Sequence, residues 1–236
     1  MNNSIQDLGL LENLLGIKFS NIKLLSEAIT HSSYVYQLNN LKHNERLEFL
    51  GDSVLQLCIS EYLYENLPEK TEGELTKLRS LIVCENSLHQ IALTLKLGEF
   101  IFMSKGEELT GGRERISILS DCVEAIIAAI YLDKGMETVK VFILNKFKLT
   151  IQKAIDNKII LDYKTRLQEE FQKSGEVSIV YNLIKHEGPP HNRKFFMQVS
   201  VNNKVISQGS GYSKKEAEQN AAKEVLKIME EEDGKA

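Results

Sequence analysis

The chain has 236 residues, 42% of them hydrophobic and 26% charged, with only three prolines, the composition of an ordinary globular protein rather than a disordered one. Its formal net charge is −4, and residues 162–236 carry 12 basic and 12 acidic side chains, so the acidic excess lies wholly in the front part. A polyanionic partner would therefore be held by local basic patches and a bound cation rather than by bulk charge.

The length suits one large domain or two modest ones, and the residue pattern below argues for two. No internal repeat or low-complexity tract is visible. The first residues, Met1-Asn2-Asn3-Ser4-Ile5-Gln6-Asp7, show no basic region followed by an apolar one. Nor does any apolar run approach the roughly 20 residues that span a bilayer, so a cytoplasmic protein with no membrane partner is expected. Cys58, Cys84 and Cys122 lie in apolar helical patterns without CxxC spacing and read as reduced core residues.

From Ser4 to about Ile155 the apolar spacing is helical. Leu8, Leu10, Leu11, Leu14 and Leu15 open one helix, and Ile22, Leu24, Leu25 and Ala28 follow in a second. Asn44-Glu45-Arg46-Leu47-Glu48-Phe49-Leu50-Gly51-Asp52-Ser53-Val54-Leu55 then places three carboxylates among apolar residues. At 3.6 residues per turn, Glu45, Glu48 and Asp52 fall within about 60° of one another, opposite Leu47, Leu50, Val54 and Cys58. Like charges so placed repel, and a compensating cation would relieve them.

After Pro68, Thr71-Glu72-Gly73-Glu74 fits a capping box that starts a helix expected to run to about Leu95. Residues 104–115, with paired glycines, read as a surface loop. Its Lys105, Arg113 and Arg115 are candidates for phosphate contact, with plain solvated charge as the alternative.

Next comes Asp121-Cys122-Val123-Glu124-Ala125-Ile126-Ile127-Ala128-Ala129-Ile130, apolar nearly all round and so expected to be buried. Asp121 and Glu124, spaced i, i+3, share one side. Four or five carboxylates on two helices suit a hard divalent cation such as Mg²⁺ or Mn²⁺. Each acid taken alone reads equally as a surface charge or an ion-pair partner. Arg46 is the only base within the first stretch, and none lies between Asp121 and Tyr131, so local pairing cannot neutralise both groups.

The helical pattern ends in a connector near residues 157–161. A helix with Leu167 and Phe171 as an apolar pair follows, then β-type runs at 177–183, 195–201 and 204–209. Asn202-Asn203 suits a tight turn, and a last helix from about Ser213 to Glu230 turns Ala217, Ala221, Val225 and Ile228 inward. This α-β-β-β-α order describes a small α+β domain. Lys214 and Lys215 sit in the first turn of the last helix, where the dipole favours acids; a phosphate partner would resolve that misfit. The stiff loop Gly188-Pro189-Pro190-His191-Asn192-Arg193-Lys194 is a candidate groove probe. Both features also read as ordinary solvated surface.

Together these residues resemble bacterial ribonuclease III along almost the whole chain. The signature Asn44-Glu45-Arg46-Leu47-Glu48-Phe49-Leu50-Gly51-Asp52-Ser53 is unbroken, and Ser120-Asp121-Cys122-Val123-Glu124-Ala125 matches the second acidic motif. Lys164-Thr165-Arg166-Leu167-Gln168-Glu169, Gly188-Pro189-Pro190-His191 and Ser213-Lys214-Lys215-Glu216-Ala217-Glu218 resemble the family's double-stranded RNA-binding domain. The resemblance implies a multidomain chain: an all-α nuclease domain over 1–155, a linker over 156–161, an α+β RNA-binding domain over 162–230 and a tail over 231–236.

It also implies a homodimer that hydrolyses double-stranded RNA, including rRNA precursors and other structured RNAs, to 5′-phosphate and 3′-hydroxyl ends. Glu48, Asp52, Asp121 and Glu124 correspond to the Mg²⁺ ligands, Glu45 to a supporting acid and Glu72 to a further acid of the cleft. Asp52, Glu124, Glu45 and Glu72 thus form the implied catalytic set. Phe49 corresponds to a dimer-interface aromatic, with an intrachain core position as the alternative. Thr165, Gln168, Glu169, His191, Ser213, Lys214 and Lys215 correspond to RNA contacts. Glu218 departs from the many domains of this type that carry a third base there, which implies lower phosphate affinity. Two competing readings are a binding protein with a degenerate nuclease domain and a metal phosphohydrolase of small molecules.

Overall fold

The structure is a computed structural model that describes residues 2–35, 42–156, 163–173, 177–189 and 193–233. The chain divides into two compact units, Met1–Ile159 and Ile160–Ala236. The first contains α1 (Asn2–Leu15), α2 (Ile22–Ala28), α3 (Ser32–Val35), α4 (Glu45–Asn66), α5 (Glu72–Ile82), α6 (Glu85–Thr94), α7 (Lys105–Leu109) and α8 (Ile116–Ile155). Short 3₁₀ turns lie at Leu97–Glu99 and Gly112–Glu114.

Helices α4 and α8 form the centre of this unit. Leu47, Val54, Leu55, Cys58, Ile59 and Leu63 of α4 and Cys122, Val123, Ile126, Ile127 and Ile130 of α8 belong to one buried core. A fully buried aliphatic side chain of this size contributes about 1.5–3 kcal/mol, so the apolar positions fix how the two helices face each other. Gly135, at φ 81° and ψ 177°, breaks α8. Beside that break the Asp133 carboxylate accepts hydrogen bonds from the Ser20 and Asn21 amides, both at 2.8 Å, at the start of α2. The start of α4 is anchored too: Asn44 N donates to Thr30 O at 2.9 Å, and Thr30 bridges Phe102.

The expected capping box is present, with Thr71 and Glu74 satisfying each other's backbone amides. The helix it starts does not reach Leu95. It ends at Ile82, and a separate helix starts at Glu85, because Cys84 is extended (φ −70°, ψ 156°) and the Ser87 hydroxyl donates to Leu81 O at 2.8 Å. Residues 104–115 are likewise more ordered than a loop, holding α7 and a 3₁₀ turn. Ser104 caps α7 by accepting from Glu107 N at 3.2 Å. Arg113 is engaged by Glu108 and by the Gly98 and Ile101 carbonyls, and Arg115 by Glu107, while Lys105 is exposed.

The second unit contains α9 (Tyr163–Gln172), β1 (Ile179–Glu187), β2 (Lys194–Val201), β3 (Lys204–Gly211) and α10 (Lys214–Asp233). The strands form one antiparallel sheet in sequence order. Asn202 and Asn203 both have positive φ, 48° and 64°, as a two-residue hairpin turn demands. Leu167, Val199, Ala221, Ala222, Val225 and Leu226 form the core, while Ile228, expected inside, is 38% exposed. The connector around 157–161, His191 and residues 234–236 lie outside the described residues.

Candidate functional site

The signature helix α4 presents Glu45, Glu48 and Asp52 on successive turns, and α8 presents Asp121 and Glu124 opposite them. What lets the two stripes meet is Gly51. A Cβ built there would lie 1.8 Å from Glu124 O, so the α4 backbone touches the α8 backbone at the very residue that carries an acid. Glycine inside a helix costs about 1 kcal/mol against alanine, a cost accepted here for close approach.

As a result Glu48, Asp121 and Glu124 bring one carboxylate oxygen each to within 4.8 Å of one another, all three half-buried. Burial and mutual repulsion hold these acids above the ordinary carboxylate range. Glu124 is pushed up to about 8, first by burial and then by Asp52, Glu48 and Asp121. Glu48 is raised by burial and by Asp121, Glu45 and Asp52; Asp121 by burial and by Glu85 and Glu45. Partly dry oxygen donors that converge and are shifted by one another's charge fit a hard divalent cation.

The other expected residues lie around this trio. Asp52 stands outside it, with both oxygens accepting from Gln56 Nε2 at 2.8 and 2.9 Å, although its charge acts on Glu48 and Glu124. Glu45 is exposed at the start of α4, 3.8 Å from His43 Nδ1. Glu72 is exposed at the start of α5 and accepts from Thr76 Oγ1 at 3.0 Å. Phe49 is 79% exposed and is no core residue of its own chain. Leu57 and Tyr64 of the same helix are 56% and 76% exposed.

Sequence reasoning missed Glu85, whose charge acts on Asp121. Ser120 Oγ donates to Glu85 O at 2.9 Å and so draws the first turn of α6 beside the residue preceding Asp121. Thirty-five positions separate the two, and no local spacing could have announced it.

On the second unit, Thr165, Gln168 and Glu169 of α9 are exposed, as are Ser213, Lys214 and Lys215 at the start of α10. Ser213 Oγ accepts from Glu216 N at 3.1 Å and caps α10, leaving both lysines in its exposed first turn. Thr165, Gln168 and Lys215 line one groove of about 750 Å³.

The Ribonuclease-III-like family matches residues 21–151, and the double-stranded RNA binding motif family matches residues 163–229. The Ribonuclease 3 of Clostridium perfringens is 61% identical over 96% of this chain and 97% of its own length. That of Clostridium botulinum (strain Eklund 17B) is 64% identical over 93% and 95%. Among solved structures, the nuclease domain of ribonuclease III from Campylobacter jejuni is 45% identical, with a TM-score of 0.56, over 60% of this chain and 96% of that one. With both families matched in chain order and the acid trio standing within the first match, the chain belongs to the ribonuclease III family and is a metal-dependent endoribonuclease of double-stranded RNA.

Proposed function

We propose that the cation is Mg²⁺, with Mn²⁺ able to substitute, and that Glu48, Asp52, Asp121 and Glu124 hold it. The observation that carries this is the convergence of Glu48, Asp121 and Glu124 within 4.8 Å, with Glu124 raised to about 8 by burial and by the acids around it. Bound there, a divalent cation supplies Lewis-acid activation of the attacking water and neutralises charge at the scissile phosphate. Glu124, with its carboxyl raised to about 8, would hold the cation as a carboxylate. Gln56 keeps the Asp52 carboxylate oriented, and Glu45 and Glu72, both exposed, serve from the rim of the cleft. Hydrolysis leaves 5′-phosphate and 3′-hydroxyl ends.

The nuclease domain is taken as residues 1–155 and the RNA-binding domain as 162–230, joined by 156–161 and followed by a tail at 231–236. Thr165, Gln168, Glu169, His191, Ser213, Lys214 and Lys215 contact the duplex through its A-form shape, 2′-hydroxyls and phosphates. Two chains pair through the face of α4 that exposes Phe49, because an apolar side chain so exposed gains by burial against a partner. The solved nuclease domain of Campylobacter jejuni ribonuclease III has a region involved in dimer formation, which supports the same assembly here. The setting is the cytoplasm and the substrates are rRNA precursors and other structured RNAs.

The test is thermal unfolding of metal-free protein titrated with Mg²⁺, together with end-group analysis of the cleavage products. Mg²⁺ is expected to raise Tm in the wild type and far less in Glu124→Gln, and the products are expected to accept label at the 3′-hydroxyl. An equal Tm rise in both proteins, or 3′-phosphate products, would overturn the assignment.

A further inference from the structure

The first amides of any α-helix have no acceptor within the helix, so something else must satisfy them. In α9 the acceptor comes from another helix: Gln219 Oε1 of α10 takes the amides of Tyr163 at 2.7 Å and Lys164 at 3.3 Å. Next to it, Glu218 Oε2 pairs with Lys164 Nζ at 2.7 Å, the two side chains being 23% and 35% exposed. Lys164 Nζ also stands 4.6 Å from the Tyr181 ring centroid on β1, and Lys223 of α10 lies over the Tyr163 ring at 5.5 Å. Positions 218, 219 and 223 of α10 therefore grip the first two residues of α9.

This grip sits beside the RNA-facing surface. The groove that Thr165, Gln168 and Lys215 line has Lys164, Tyr181 and Gln219 in its walls. A rigid duplex rewards a protein whose contact groups are already correctly spaced, since ordering them on binding costs affinity. We infer that Glu218 and Gln219 are positioning residues for duplex binding, holding the first turn of α9 so that Thr165 and Gln168 face the same duplex as Lys215. The inference rests on the reading of Thr165, Gln168 and Lys215 as RNA contacts, and it reverses the expected sign at Glu218. By charge alone a base at 218 would tighten phosphate binding. In this fold it would repel Lys164 and loosen α9.

The test is duplex binding by the full chain in EDTA, on a duplex of about 16 base pairs and over a salt series. Gln219→Ala and Glu218→Lys are each expected to weaken binding about three- to tenfold, as lost caps and partly buried pairs do. Gln219→Ala should leave the salt slope unchanged and speed amide exchange at Tyr163 and Lys164. Gln219→Glu, which keeps an acceptor, and the double exchange Lys164→Glu with Glu218→Lys, which restores the pair, should return amide exchange at Tyr163 and Lys164 to the wild-type rate and so separate a lost cap from a lost fold. Lys214→Ala with Lys215→Ala should weaken binding and lower the salt slope by about 1–2. Tighter binding by Glu218→Lys, or wild-type binding by Gln219→Ala while the lysine variant is weakened, would overturn the inference. Unchanged affinity and slope in the lysine variant would instead overturn the RNA-contact reading, and the inference with it.

Discussion

Glu124 shows how one residue records the need of the whole site. Its carboxyl is pushed up to about 8 from an ordinary 4.5, so the folded, metal-free chain holds a proton that the unfolded chain has lost. Stability from this group is full below about 4.5 and is lost as pH rises through about 8, because the unfolded state binds fewer protons over that window. Burial and repulsion act in the same direction on Glu48 and Asp121. Metal-free protein is therefore expected to lose thermal stability as pH rises from 5 to 8. Glu124→Gln, neutral throughout, should lose less, so a scan of Tm against pH in EDTA should show two diverging curves; parallel curves would mean that Glu124 is ordinary. The i, i+3 and i, i+4 spacing made the sharing of one side by these acids legible before any coordinates. Neither the place of Asp52 outside the close trio nor the effect of Glu85 was legible, since both depend on how helices pack rather than on periodicity.

At the scale of elements, the crossing of α4 and α8 sets the site's dimensions. Gly51→Ala would put a methyl carbon 1.8 Å from Glu124 O, and backbone cannot yield as a flexible side chain does. The helices must separate or tilt. The expected loss is about 1–3 kcal/mol of stability, measured by urea unfolding, together with a higher Mg²⁺ requirement for the Tm rise. Unchanged values in both would show that the crossing is not what spaces the acids. The sequence announced the capping box at Thr71 and the Asn202-Asn203 turn, since both are local hydrogen-bonding or φ requirements. It did not announce the break at Cys84. Leu81-Ile82-Val83-Cys84-Glu85 holds no glycine or proline, and the break is stabilised by the Ser87 hydroxyl reaching back to Leu81. Nor did the sequence hint that α9 takes its cap from Gln219 on α10.

For the whole molecule, the two units divide the labour: one gathers carboxylates that need a cation, the other gathers groups suited to a duplex. The composition change near residue 160 made that division legible, whereas the exposure of Phe49 could be decided only once the core was seen to close without it. Phe49→Glu is expected to shift sedimentation from dimer to monomer, since a charge in an apolar interface cannot be buried unpaired. A dimer that survives unchanged would place the interface elsewhere. The central claim is that Glu48, Asp121 and Glu124 form a metal centre that cuts duplex RNA bound by the same chain. Its most direct test is the purified full chain incubated with a long RNA duplex and Mg²⁺, in parallel with Glu124→Gln. The wild type should cut the duplex, while Glu124→Gln binds with wild-type affinity and leaves it whole. An intact duplex in the wild-type reaction with binding retained, or cleavage by Glu124→Gln at the wild-type rate, would contradict the account.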